Sequence, residues 1–349
     1  MRNSNIEFLR IIAMFLIVIF HCIFFSNFNL TSELSIKKYS IQFLAYGGQW
    51  AVDTFIIISG YYLIYSSFSI KKFLKLIFQI YFYSIIILGF AYYKELPTVT
   101  PTNILMSFLP FGYLNWYASA YLILYIFFPY LNIVCKSLSK KLFERFFIIG
   151  IILWFIIPTV IACFIPGIDS YIAPYVTFFS EAILFIYLYF IGAYIRLFDF
   201  SFQKNTIIFL YSIFLSATGL FIFDLLCANF ESMKLVYQLD LSRVKFGLFT
   251  CIMAISSFIC FAQEEVFFNK RINNIASTTF GVYLISDNQL ISVYLWQHVF
   301  HLAKDYTSDF IVLKIVWAAI VVFSASSVIE YSRIQLFEKP FIKYLNKIL

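Results

Sequence analysis

Charge is what this sequence has least of. Of its 349 residues only 12% are Asp, Glu, Lys or Arg, and 62% are apolar, against about 25% and 45–50% in an ordinary soluble domain. Such a chain cannot cover a globular surface with polar groups, and it lacks the polarity that keeps a disordered chain unfolded. Cysteine is sparse too. The six cysteines, at 22, 135, 163, 227, 251 and 260, form no C-x-x-C pair and fall mostly inside apolar runs, so they read as small buried hydrophobes and not as a disulfide or zinc framework. There is no P-loop, no G-x-G-x-x-G opening a helix and no H-E-x-x-H. His298 and His301 are spaced i, i+3 without a third ligand, and no metal is expected. No Pro/Gly/Ser-rich linker and no charge-rich tail divides the chain.

What is abundant is apolar and aromatic: 46 Phe, 26 Tyr and 5 Trp. Continuous apolar runs lie near 8–25, 43–65, 73–93, 115–134, 143–165, 177–198, 205–228, 244–262, 274–296 and 310–330. Each can cross a hydrocarbon layer about 30 Å thick. The strands of an outer-membrane barrel would instead alternate apolar and polar over ~10 residues. The expected class is an all-α integral membrane protein of about ten transmembrane helices. It forms one polytopic domain over residues 1–349, with no separate soluble domain. The first run carries Arg10 and His21 and shows no small-residue cleavage site, so it is not read as a cleaved signal peptide. With the N-terminus inside, the cytoplasmic segments hold sixteen Lys and Arg and the outer segments five. That bias places both termini in the cytoplasm and the protein in the plasma (inner) membrane as a multi-pass chain. It also accounts for the net charge of +7 without nucleic acid as a partner.

An ionisable side chain inside a span costs at least ~2.5 kcal/mol at the bilayer centre, which makes it a functional candidate. Arg10 and His21 are eleven positions apart. At about 100° and 1.5 Å per residue they share a helix face and stand roughly 16 Å apart along its axis. Asp53 lies near the middle of the second run, Asp287 near the middle of the ninth, and Glu181 at the outer start of the sixth. Any of the three carboxylates can orient a histidine ring. Lys72 and Lys75 share a face at the inner surface, where they can hold a polyphosphate or simply flank the membrane. Ser59-Gly60 reads as a close-packing point or a backbone approach to a ligand. Trp116 and Tyr117 open the fourth run at the outer face, as an interfacial belt or a substrate contact.

The segment EFLRIIAMFLIVIFH resembles the opening span of the acyltransferase-3 family of membrane acyltransferases. Members carry an Arg and a His with ten residues between them, behind an acidic-x-Leu-Arg pattern. Here these are Glu7, Arg10 and His21. VDTFIIISGYYL, with Ser59 and Gly60, is similar to the family's second span, and KKFLKLIFQIY to the basic segment after it. There Lys72 and Lys75 replace the usual arginines, keeping charge but losing bidentate geometry. NWYASAYLILYIFFPYLN resembles the fourth span, ending in Pro129. YFIGAYIR and FGVYLISDN are similar to later segments, although many members carry His where this sequence has Ser286.

The resemblance implies ten helices with cytoplasmic termini. It also implies transfer of an acetyl or other acyl group from acetyl-CoA to a hydroxyl of a cell-surface or lipid-linked polysaccharide, with His21 catalytic. On that expectation Lys72, Lys75, Arg10 and Ser59 meet the donor, while Trp116, Tyr117 and Glu181 meet the acceptor. His21 is the general base or the acyl carrier, supported by Arg10, Asp53 or Asp287. A transporter or flippase of lipid-linked sugars, with His21 in a polar relay, is the alternative.

Overall fold

The computed structural model describes residues 2–28, 30, 33–156, 169–229 and 248–348, and among these every regular element is helical. In chain order they are α1 (Ser4–Ser26), α2 (Ile36–Leu63), α3 (Ile70–Tyr93), α4 (Pro101–Ser107), α5 (Trp116–Ser137), α6 (Lys140–Gly150), α7 (Asp169–Leu197), α8 (Asn205–Asn229), α9 (Leu248–Gln263), α10 (Lys270–Ala276), α11 (Thr279–Ser286), α12 (Ile311–Arg333) and α13 (Lys339–Ile348). Short polar residues set several of the starts. The side chains of Asn3, Ser35, Ser69, Thr100, Ser139 and Asn269 each accept a first-turn N–H, replacing the helix's own missing acceptors.

Among the described residues, five helical stretches are long and apolar enough to cross a membrane: α1, α3, α5, residues 205–226 of α8, and the continuous stretch Ile311–Ile348 that joins α12 to α13. α2 has the length, at 28 residues, but Gln42, Gln49 and Asp53 interrupt its apolar run. The fifth and eighth expected runs extend into residues outside those described.

The ninth expected run, 274–296, is not one helix. α11 ends at Ser286, a turn follows, and a π-helical segment occupies Tyr294–Val299. The polar string Ser286-Asp287-Asn288 sits buried at the break. The freed backbone groups find partners inside the protein. Trp296 Nε1 donates to the Ser286 carbonyl at 3.3 Å, the Thr98 hydroxyl donates to the Leu290 carbonyl at 2.7 Å, and the Leu290 N–H donates to Asn288 Oδ1 at 3.0 Å. Non-helical backbone survives in an apolar surrounding only under that condition.

The helices assemble into two compact units. The first comprises Met1–Phe28, Ser67–Phe127 and Phe268–Leu349, the second Asn29–Ser66 and Phe128–Phe267. In the first, α1 packs against α10, α11 and α12, and α11 also packs on α3. The start of α1 is fixed by Ser4, whose hydroxyl donates to Asn273 Oδ1 at 3.0 Å and accepts the Asn269 N–H at 2.7 Å. Its far end is held by Gln297 Nε2, which donates to the Phe25 carbonyl at 2.7 Å. In the second unit α2 packs against α7, α8 and α9. A Cβ added at Gly60 would lie 2.1 Å from the Tyr189 carbonyl oxygen, and one at Gly192 would lie 2.1 Å from that of Ile57. The two glycines let the backbones of α2 and α7 touch, the small-residue packing common between helices in apolar surroundings.

Candidate active site

His21 sits one turn before the end of α1 and is 4% exposed. α11 delivers two polar side chains to it from opposite sides of the imidazole. Asp287 Oδ1 stands 3.3 Å from Nε2, and Ser286 Oγ stands 3.1 Å from Nδ1. Both residues are as buried as the histidine. They are consecutive residues, and α11 ends between them, which lets the two side chains diverge around one ring. A carboxylate can only accept, so an ionised Asp287 draws the imidazole proton to Nε2 and leaves the Nδ1 lone pair facing the Ser286 hydroxyl.

Tyr283 supports the pair from one turn back. Its hydroxyl bonds the Asp287 side chain and accepts the backbone N–H groups of Tyr117 and Ala118, the former at 3.1 Å. Those are first-turn donors of α5, which otherwise have no partner within their own helix. The Tyr283 phenol therefore caps α5 while it steadies Asp287. The Tyr117 ring meets Tyr283 edge-on at 5.4 Å and stacks on Tyr121 at 6.1 Å. The Tyr117 phenol also lies within electrostatic reach of the Arg10 guanidinium.

Arg10 is partly exposed, with Nη1 3.7 Å from Glu7 Oε1, and Arg2 approaches the same carboxylate at 3.8 Å. The unbroken helix keeps Arg10 about 16 Å below His21 along the axis.

A second buried cluster in the same unit involves α3, α12 and the π-helical turn Ile334–Glu338 that joins α12 to α13. Glu330 accepts from Gln79 at 2.9 Å, from the Tyr83 hydroxyl at 2.7 Å, and from Arg333 through Nε at 2.7 Å and Nη2 at 2.8 Å. Arg333 Nη2 also bonds Glu338, whose other oxygen is 2.7 Å from Lys75 Nζ. α11 lies against this cluster at Gly281, where a Cβ would come within 2.5 Å of the Glu330 side chain.

The structure thus brings His21 and Asp287 together, with Tyr117 one ring away behind Tyr283. The other carboxylates named as partners for the ring are placed differently. Asp53 belongs to the second unit, where Gln49 Nε2 donates to it at 2.7 Å and the Thr250 side chain also bonds it. Glu181 falls on α7, but its side chain lies outside the described residues. Ser59 is buried, and its hydroxyl donates to the Phe55 carbonyl one turn back at 2.9 Å, so that group is used within α2. Trp116 meets Tyr117 edge-on at 6.0 Å. Lys72 is exposed at the start of α3, while Lys75 is ion-paired with Glu338 and meets another anion only by exchanging partners. Lys38, one of the five Lys and Arg that the sequence count assigns to outer segments, is 1% exposed within α2 and stands 3.5 Å from Asp224.

Three residues of these clusters do not stand out in the sequence. Tyr283 is one aromatic among many. Glu330 and Arg333 resemble the ordinary polar end of a last span. Their spacing of three is the available signal, since i, i+3 opposite charges face each other on a helix.

Apolar helices of spanning length, enclosing an imidazole between a carboxylate and a hydroxyl, define a helical membrane protein with a buried histidine held between an acid and an alcohol. More particularly, the chain belongs to the acyltransferase-3 family: that family's model, an acyltransferase domain, matches residues 3–330. No curated protein and no solved structure matches it.

Proposed function

We propose that the protein moves an acetyl group from cytoplasmic acetyl-CoA to a hydroxyl of a cell-surface or lipid-linked polysaccharide, with His21 as general base. In this reading ten spans place both termini in the cytoplasm of the plasma membrane, following the Lys and Arg bias. One observation carries the chemistry: a fully enclosed imidazole whose Nε2 faces a carboxylate and whose Nδ1 faces a hydroxyl. A base so oriented contributes about 10²–10⁴-fold to a rate. Lys72 and Arg10, on the cytoplasmic side in this topology, supply charge for the donor's phosphates. The thin pantetheine arm is suited to the distance of about 16 Å from there to His21. Trp116 and Tyr117 lie toward the side from which an acceptor sugar arrives.

The break after α11 also favours attention to transport, because carriers build their sites at discontinuous helices. The two readings part on a chemical product. Cells expressing the wild-type chain should carry an O-acetyl group on a surface glycan. Cells expressing His21→Ala at equal membrane level should lack it. Equal acetylation in the two strains rejects the role of His21, and movement of a glycan with no acyl transfer favours the carrier.

A further inference from the structure

We infer that Ser286 is the nucleophile of this site and carries the acyl group as a serine ester between donor and acceptor. The inference rests on the acyl-transfer reading above and assigns its first chemical step. The hydroxyl nearest to the basic nitrogen is not a substrate's but the protein's own, Ser286 Oγ, 3.1 Å from His21 Nδ1. The opposite nitrogen is 3.3 Å from Asp287, which holds the ring in the tautomer that leaves Nδ1 basic. Carboxylate, imidazole and hydroxyl in line are the parts of an activated serine, defined by geometry and roles and independent of chain order. The ring is used in the opposite sense from the usual triad, with the carboxylate on Nε2 and the hydroxyl on Nδ1. Either sense satisfies the chemistry, since what is needed is one N–H on the acid and the other lone pair on the nucleophile. Ser286 Oγ also has the Tyr283 carbonyl at 3.5 Å, too distant to compete well for the proton.

The steps balance. Ser286 Oγ attacks the thioester carbonyl as its proton passes to His21 Nδ1. The C–S bond breaks, and His21 returns the proton to sulfur, releasing CoA as a thiol. An acceptor hydroxyl then attacks the serine ester while His21 takes its proton. The bond to Ser286 Oγ breaks, and the proton returns to that oxygen. Burial argues for this order. Ser286 is fully buried, and Phe25 and Tyr283 ring His21 at 6.1 and 6.2 Å. A covalent relay asks such an enclosed space to admit one reactant at a time.

The test is to mix the full-length protein in nanodiscs with radiolabelled acetyl-CoA, without acceptor, and to quench in acid. Label is expected on the protein, stable to neutral hydroxylamine, released by alkaline hydroxylamine, and mapped by mass spectrometry to Ser286. Ser286→Cys should shift it to a thioester released at neutral pH. Ser286→Ala should take no label and lose at least about a hundredfold in transfer. The proposal is overturned by label on His21, by a wild-type protein that turns over yet never carries label on Ser286, or by Ser286→Ala transferring at the wild-type rate. In each of these cases the acyltransferase reading survives if His21→Ala is dead. A wild-type chain that neither takes label nor transfers acetyl removes both. The labelling of the wild type needs no variant and decides the matter if Ser286→Ala does not fold.

Discussion

Two buried polar clusters lie in one unit of this protein, and they differ in what they have to spare. Around Arg333, every charge is opposed: Glu330 and Glu338 flank the guanidinium, and Lys75 answers Glu338. Around His21 a carboxylate faces one ring nitrogen and a hydroxyl the other, with the Tyr283 phenol bonded to the carboxylate. The first cluster is electrically closed and locks helices. The second pairs a ring nitrogen with a hydroxyl, groups between which a proton can pass. Burial is common to both; what sets the His21 cluster apart is a ring that can hold a proton on either nitrogen.

The sharpest way to break that comparison is to alter one charged residue of each cluster. Asp287→Asn keeps the volume at His21 but offers the ring an amide in place of a carboxylate, so the tautomer is no longer fixed. Transfer should fall about 10³–10⁴-fold with little change in thermal unfolding of the detergent-solubilised protein. An activity within tenfold of wild type would show that Asp287 does not orient the ring. Arg333→Met should reverse the pattern. It leaves Glu330 and Glu338 buried without their cation, at a cost of about 3–5 kcal/mol in stability, seen as a lower unfolding midpoint and a lower yield. Adding Glu330→Gln to Arg333→Met should recover part of that loss, because replacing both partners costs less than stranding one.

Glycine offers a finer comparison. Gly281→Ala would place a methyl 2.5 Å from the Glu330 side chain, so α11 or Glu330 must move. A loss of about 1–3 kcal/mol should accompany reduced transfer, because the same helix carries Tyr283 and Ser286 to the site. Gly89 in α3 has no atom within 4 Å of an added Cβ. Gly89→Ala should be neutral or stabilise by up to about 1 kcal/mol through helix propensity. Equal thermal behaviour of the two variants would mean that α11 does not rely on close approach at Gly281.

These contrasts also show what a linear reading reaches. α1 is legible because its apolar run is unbroken and Arg10 and His21 repeat in phase with a helix. The partner of His21 is not. Three carboxylates have equal standing in the sequence, and the choice among them is made by α11, which brings Ser286 to the ring from 265 positions away. The break at Ser286 is hidden for a local reason. No Pro or Gly marks it, and a few polar residues in a long apolar run look like a tolerated interruption. Lys38 and Arg333 read as flanking charges because their proximity to span ends is a one-dimensional property. Their burial depends on Asp224 and on Glu330 and Glu338, set opposite them by folding.

The smallest expected effect concerns the two lysines of α3, alike in sequence and unlike in surroundings. Lys72 is exposed, so in the proposed reading it meets donor phosphate directly, and Lys72→Gln should raise the donor KM a fewfold with kcat unchanged, as for a single charge-assisted contact near solvent. Lys75 is already committed to Glu338 at 2.7 Å. If it too serves the donor, it must leave that carboxylate, and the exchange opposes binding. Glu338→Gln weakens the competing pair and should lower the donor KM by roughly twofold to threefold, since such half-exposed pairs are worth about 0.2–1 kcal/mol. The same change takes a carboxylate from Arg333, so the unfolding midpoint should drop in parallel. A donor KM that stays fixed while the midpoint falls would assign Lys75 to the locked cluster alone and leave Lys72 and Arg10 to hold the phosphates.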